Sequence, residues 1–136
     1  TDDGLVGKIV ATSKNYSIAQ ILYNNDLKIT VKGQRSRIDG IMTYDGVEHL
    51  LVNEVPKSAD IKVGDLIVTS EYSNTFPAGI PVGTVIEEGN LDNLFKRIVI
   101  SPSVDFSILE EVFVLKYLPN NERKNLEELY NKQENP

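Results

Sequence analysis

The chain has 136 residues, a net charge of −6, no cysteine and one histidine, His49. That length fits one domain, and without cysteine there can be no disulfide scaffold, thiolate zinc site or cysteine nucleophile. The acidic balance argues against a general nucleic-acid binder and against adhesion to anionic lipid.

Valine and isoleucine number 27 against 4 alanines. β-Branched side chains suit a pleated surface and lose rotamer freedom in a helix, so the chain reads as strands. It opens on Thr1-Asp2-Asp3 without a Met, as an excised piece of a longer protein would. Leu5 to Thr12 is a nearly continuous apolar run, the pattern of a strand buried on both faces. Ser17 to Tyr23 is a second strand. Leu27 to Lys32 alternates apolar and polar, the period of a half-buried strand. Ile38 to Thr43 and Val47 to Val55 flank Tyr44-Asp45-Gly46, a hairpin signal because glycine accepts positive φ. Lys62-Val63-Gly64-Asp65-Leu66 places Gly64 in a tight turn that launches Asp65 to Ser70. Phe76-Pro77-Ala78-Gly79-Ile80-Pro81-Val82-Gly83 cannot be helical and predicts a rigid, ordered crossing. Val82 to Glu88, Phe95 to Ser101 and Glu111 to Tyr117 complete nine predicted strands, the count of a sandwich or barrel. Asn120 to Arg123 can cap a short helix that carries Leu126, Leu129 and Tyr130 on one side. Asn131 to Pro136 is polar. The longest apolar run, Val112 to Leu115, is far shorter than the roughly 18 residues of a membrane-spanning helix.

The residues that could carry chemistry do not assemble by spacing. No Gly-x-Ser-x-Gly elbow accompanies His49, which lies in a strand-like run beside Leu50 and Leu51. Glu87-Glu88 and Glu110-Glu111 are neighbours, and neighbours in a strand point to opposite faces, so they do not converge on a substrate. Gly4-Leu5-Val6-Gly7-Lys8 lacks phosphate-loop spacing and precedes a strand; a close backbone approach at Gly7 explains it better. Lys28, Lys32, Arg35 and Arg37 cluster between Asp26 and Asp39, and Gly33-Gln34-Arg35-Ser36-Arg37 reads as an exposed loop. Such charges are either a solvated strand face or a steering patch for an acidic partner. Tyr72 and Phe76 bracket the polar loop Ser73-Asn74-Thr75 and read either as interface anchors or as plugs of a barrel end.

Several segments, in order, resemble the extracytoplasmic domain of the rod shape-determining protein MreC family: Asp3-Gly4-Leu5-Val6-Gly7-Lys8-Ile9; Val55-Pro56 with Ala59 to Ser70; Phe76 to Val85; Leu94-Phe95-Lys96; and Leu109-Glu110-Glu111-Val112. The similarity covers roughly residues 3 to 118. Glu71-Tyr72-Ser73-Asn74-Thr75 departs from it, being bulkier than the glycine-rich stretch usual there. The resemblance implies an all-β fold of two small barrels side by side, a chymotrypsin-like double barrel without catalytic residues. It also implies strands preceding the Gly-Leu-Val-Gly block. The expected boundaries are a barrel module over 1–118, with about 12–70 as one lobe and the two ends as the other, and a polar tail over 119–136 with a short helix.

The implied function is a non-enzymatic scaffold of the cell-elongation, peptidoglycan-synthesising complex. It would be anchored outside the membrane by a transmembrane helix N-terminal to this segment. Implied partners are penicillin-binding proteins, membrane proteins such as MreD, and further copies of itself. No catalytic, metal or cofactor residues are expected, and no nucleic acid. The contact residues expected are Tyr72, Phe76, Arg35 and Arg37. The alternative readings are a serine hydrolase using His49 and a glycan-binding barrel.

Overall fold

The computed structural model describes residues 3–109 and 111–115, and every regular element in it is a strand. They are β1 (Gly7–Thr12), β2 (Ser17–Ile21), β3 (Ile29–Gly33), β4 (Asp39–Tyr44), β5 (Leu50–Asn53), β6 (Leu66–Thr69), β7 (Pro81–Asn90) and β8 (Lys96–Pro102). β3 to β8 close into a six-stranded antiparallel barrel in the order β3-β4-β5-β8-β7-β6. β6 returns to β3 through Val31↔Thr69, Lys32↔Val68 and Gly33↔Ile67. β1 and β2 form a separate two-stranded hairpin. The fold is all-β, as expected. Of the two expected barrels, the described residues close one and contribute a hairpin beside it.

The barrel follows from alternation. Ile29 and Val31 of β3, Met42 of β4, Leu50 and Val52 of β5, Ile67 of β6, Val82 and Val85 of β7, and Ile98 and Ile100 of β8 are buried in one cluster. Each such side chain contributes about 1.5–3 kcal/mol relative to exposure. Lys32 breaks the β3 pattern: it is buried, and its ammonium donates to the Glu71 carboxylate.

The predicted Asp-Gly turn is wider than two residues. Tyr44 pairs with Leu50, and the Asp45 carboxylate accepts from the backbone N–H groups of Val47, Glu48 and His49 at 2.8, 2.8 and 3.0 Å. Those three donors favour its ionised form and lower its pKa.

Two strand expectations are corrected. Glu111–Leu115 forms no strand, and the rest of that ninth prediction, like the tail helix, lies outside the described residues. β1 is not buried on both faces but exposed from Lys8 to Thr12, because a two-stranded ribbon has no second layer over it. The close approach at Gly7 is present: a Cβ there would stand 2.0 Å from the Gln20 carbonyl oxygen.

The Pro/Gly crossing is rigid for a specific reason. Thr69 is fully buried. Its hydroxyl donates to the Pro77 carbonyl at 2.6 Å and accepts the Ile80 N–H at 2.9 Å. Its backbone N–H donates to the Ile80 carbonyl, and its carbonyl accepts from Gly79 N–H, both at 2.9 Å. One side chain thus fastens both ends of a segment that has no ladder of its own. Pro81 is the first residue of β7, where a missing N–H is tolerated, and its carbonyl accepts the Leu5 N–H at 2.8 Å, joining the hairpin's approach to the barrel.

Thr69→Val keeps the shape and deletes the hydroxyl. The expected cost is about 1–3 kcal/mol, read as a lower urea midpoint at unchanged slope. Gly64 has φ of 95° with open space where a Cβ would stand, so only backbone strain opposes a side chain. Gly64→Val is expected to cost on the order of 1–3 kcal/mol by the same measurement.

Candidate protein-interaction surface

The four residues singled out from sequence occupy different situations. Arg35 sits in the β3–β4 loop, and its guanidinium holds the Asp65 carboxylate with two bonds of 3.1 and 2.8 Å. It also donates to the Asp60 carboxylate at 2.8 Å and to the Asp60 carbonyl at 3.1 Å. Arg35 therefore bolts the β3–β4 loop to the Gly64 turn. Asp65 is held below the ordinary carboxylate range first by Arg35, with the Lys62 N–H assisting. Asp60 is lowered by the same guanidinium. Phe76 is 8% exposed and belongs to the core cluster, a plug rather than a loop-tip aromatic. Its N–H donates to the Ser73 hydroxyl at 3.1 Å.

Tyr72 and Arg37 remain outside. Tyr72 is 70% exposed. Arg37 is exposed and has φ of 63°, uncommon for a side chain of this size. Its N–H donates to the Gly33 carbonyl at 2.9 Å, and the Gly33 N–H donates to the Ile38 carbonyl at 2.9 Å. The five-residue loop is thereby fixed. Glu71 links the two positions: its carboxyl is lowered chiefly by the hydrogen bond from Lys32, with the Arg37 charge adding to the effect. The adjoining Ser70 is fully buried. Its hydroxyl donates to Asp39 at 3.0 Å and accepts the Tyr72 N–H at 3.1 Å. Arg37 and Tyr72 thus stand exposed on two loops, each held by its own hydrogen bonds, with Glu71 beside Tyr72 within reach of the Arg37 charge.

His49 makes no hydrogen bond to a serine among the described residues. Its imidazole stands 3.8 Å from the Glu48 carboxylate. The hydroxyls of Ser70 and Ser73 are engaged in their own turns. Glu87 and Glu88 pair across the strand with Arg97 at 2.8 Å and Lys96 at 2.9 Å, on opposite faces as neighbours must. Among the described residues, no group of His, Asp and Glu has metal-site geometry.

Sequence reasoning missed a groove of about 920 Å³ between the hairpin, the crossing and the last described segment. Ile9, Ala19 and Ile21 line it from the hairpin, Phe76 and Ile80 from the crossing, and Val112 to Leu115 from the end. The signal is the apolar run of β1, a pattern that strands covered on both faces share.

A closed six-stranded antiparallel barrel with a two-stranded hairpin at its side defines an all-β barrel module. The family described as rod shape-determining protein MreC, barrel core, matches residues 1–116. The chain belongs to the MreC family. It is 32% identical over 122 residues to the cell shape-determining protein MreC of Listeria monocytogenes serovar 1/2a (strain ATCC BAA-679 / EGD-e), a match that covers 85% of this chain and 41% of that protein. The chain thus spans about two-fifths of that relative's length. Among solved structures, the major periplasmic domain of the cell shape-determining filament MreC is 29% identical with a TM-score of 0.64, over 77% of this chain and 67% of that one. MreC of Helicobacter pylori, solved as a complex with penicillin-binding protein PBP2, shares the fold at 23% identity and a TM-score of 0.62, over 71% of this chain and 60% of that one.

Because Asp60 and Asp65 have lowered pKa values in the folded state, their contribution is present above the ordinary carboxylate pKa. It is lost as pH falls through the folded values. Arg35→Gln is expected to raise the Asp65 titration, followed by carboxyl-carbon NMR, toward the ordinary carboxylate range and to raise the pH at which acid unfolding begins. An unmoved Asp65 titration would show that the guanidinium does not set it.

Proposed function

We propose that this chain is the extracytoplasmic barrel core of a non-enzymatic scaffold of the cell-elongation, peptidoglycan-synthesising complex, acting through protein contacts and self-association. The match to the MreC barrel core over residues 1–116 carries this reading. The periplasmic relative supports the location, and the penicillin-binding protein in complex with Helicobacter pylori MreC supports the class of partner. The partners proposed are a penicillin-binding transpeptidase, a membrane protein of the MreD kind and further copies. The anchor proposed is a transmembrane helix N-terminal to this segment.

In this reading the module runs over 1–118, with 119–136 as an appendage. The β1–β2 hairpin is the described part of a second barrel, which preceding strands of the parent complete. The exposed apolar side chains of the groove support that, since a lone two-stranded ribbon is marginal in water. Tyr72 and Arg37 touch the transpeptidase. Arg35 and Phe76 position the loops that present them, one through Asp60 and Asp65, the other from within the core.

The test immobilises the chain and measures capture of the PBP2-type transpeptidase encoded by the same genome. Tyr72→Ala with Arg37→Ala is expected to lower capture at least tenfold while leaving the unfolding free energy from urea titration within about 0.5 kcal/mol of the parent, since both side chains are exposed. Full capture by the folded double variant would reject this pair.

A further inference from the structure

Charge is unevenly distributed along this acidic chain. Residues 4–25 contain Lys8 and Lys14 and not one Asp or Glu, although the whole chain has 20 acidic and 14 basic residues. That stretch is the β1–β2 hairpin with its flanks. Lys8 and Lys14 form no ion pair with a described residue, whereas Lys32, Arg35, Lys62, Lys96 and Arg97 all do. The fold therefore gathers on one element, itself without a carboxylate, two ammonium groups that no described residue neutralises.

The same element exposes apolar and aromatic surface. Lys8 pairs with Gln20, and Ile18 lies two residues before Gln20 on β2, so the three share a face. Ile9, Ala19 and Ile21 line the groove from the other face, and Lys8 borders it. Ile18 is 63% exposed, and Tyr16, at the hairpin end, is 81% exposed. The end is well formed: the Ser13 N–H donates to the Tyr16 carbonyl at 2.7 Å, and the Tyr16 N–H donates to the Ser13 hydroxyl at 3.2 Å. A fixed turn thus presents Lys14 and Tyr16 together.

We infer that this face and tip of the hairpin dock on an anionic lipid bilayer, with Lys8 and Lys14 at the headgroup phosphates and Tyr16 and Ile18 at the interface. Lysines with no acidic neighbour on their own element match a negatively charged surface. Tyrosine places an apolar ring and a polar hydroxyl at the two sides of a headgroup boundary. An acidic protein is the rival occupant, and it would leave the vesicles unbound. The net charge of −6 conceals this local reversal, because screening confines each charge's influence to about 10 Å.

The intact chain is titrated with phosphatidylcholine vesicles containing about 40% phosphatidylglycerol, and with pure phosphatidylcholine vesicles, to millimolar lipid at about 0.1 M salt. Sedimentation reads the bound fraction. Binding is expected to the anionic vesicles only, and to fall steeply at about 0.5 M salt. Each lysine near such a surface is worth about fivefold in partition. Lys8→Gln with Lys14→Gln is thus expected to lower binding about 25-fold, Tyr16→Ser is expected to lower it further, and Lys57→Gln, beyond β5, is expected to leave it unchanged. Circular dichroism confirms that each variant is folded. Equal binding to both vesicle types, no binding to either, or an equal loss from Lys57→Gln overturns the inference. So does competition by millimolar inorganic phosphate at constant ionic strength, which would make the site one for the free anion. Absent vesicle binding together with a lysine-dependent change in sedimentation-equilibrium mass assigns the patch to a second copy and likewise overturns it.

Discussion

The pairing of β3 with β6 holds the rest in place. It joins Val31 to Thr69 across the seam where an open six-stranded sheet becomes a wall without ends. Removing edges matters most in a small β protein, because an open strand carries a row of unmet hydrogen-bonding groups. Thr69 stands at this seam and also fastens the crossing that leads into β7. The next residue, Ser70, reaches across to Asp39 at the start of β4. Two adjacent hydroxyl side chains therefore join the seam, the crossing and the neighbouring strand, and the loop carrying Tyr72 inherits their rigidity.

Much of this was legible before any coordinates. Val82, Ile98 and the alternating stretch from Leu27 mark walls of the barrel, and the glycine at 64 marks a left-handed turn, because strand period and φ preference are local properties. The resemblance of Ala59 to Ser70 and Phe76 to Val85 to one family pointed to the module now matched over residues 1–116. What could not be read was tertiary. The apolar character of β1 is the same whether a second layer covers it or not, so sequence predicted burial where the hairpin is open. Lys32 reads as a solvent-facing strand residue until Glu71, 39 residues on, is brought against it. Phe76 and Tyr72 look alike as aromatics flanking a polar loop, and only the closed barrel separates the plug from the exposed ring. Arg35 and Arg37 look equally free, yet the Gly64 turn brings two aspartates to the first.

The barrel and the hairpin are also joined by aromatic packing. The Tyr23 ring lies edge-on to Tyr44 and to Phe106, with centroids 5.4 Å apart in both pairs. Burial, followed by the nearby Tyr44, raises the Tyr23 pKa, as expected for a phenol drawn out of water. Edge-to-face pairs add about 0.5–1.5 kcal/mol beyond area burial. They link the strand leaving the hairpin, the end of β4 and the segment after β8. The hairpin is thus oriented by the barrel even though no ladder crosses between them.

β7 and β8 continue as a ribbon past the point where β6 stops pairing with β7. Arg97–Glu87 and Lys96–Glu88 brace its two faces, and the Asp92 carboxylate closes its end by accepting from Leu94 and Phe95. The segment after β5 fastens it along the β8 side: the Lys96 N–H donates to the Val55 carbonyl and the Lys57 N–H to the Leu94 carbonyl, both at 2.9 Å, and Pro56 pairs with Phe95. A change in the length of the turn at 91–95 would therefore be felt by the segment after β5, because the same turn that closes the ribbon is the point at which that segment is tied down.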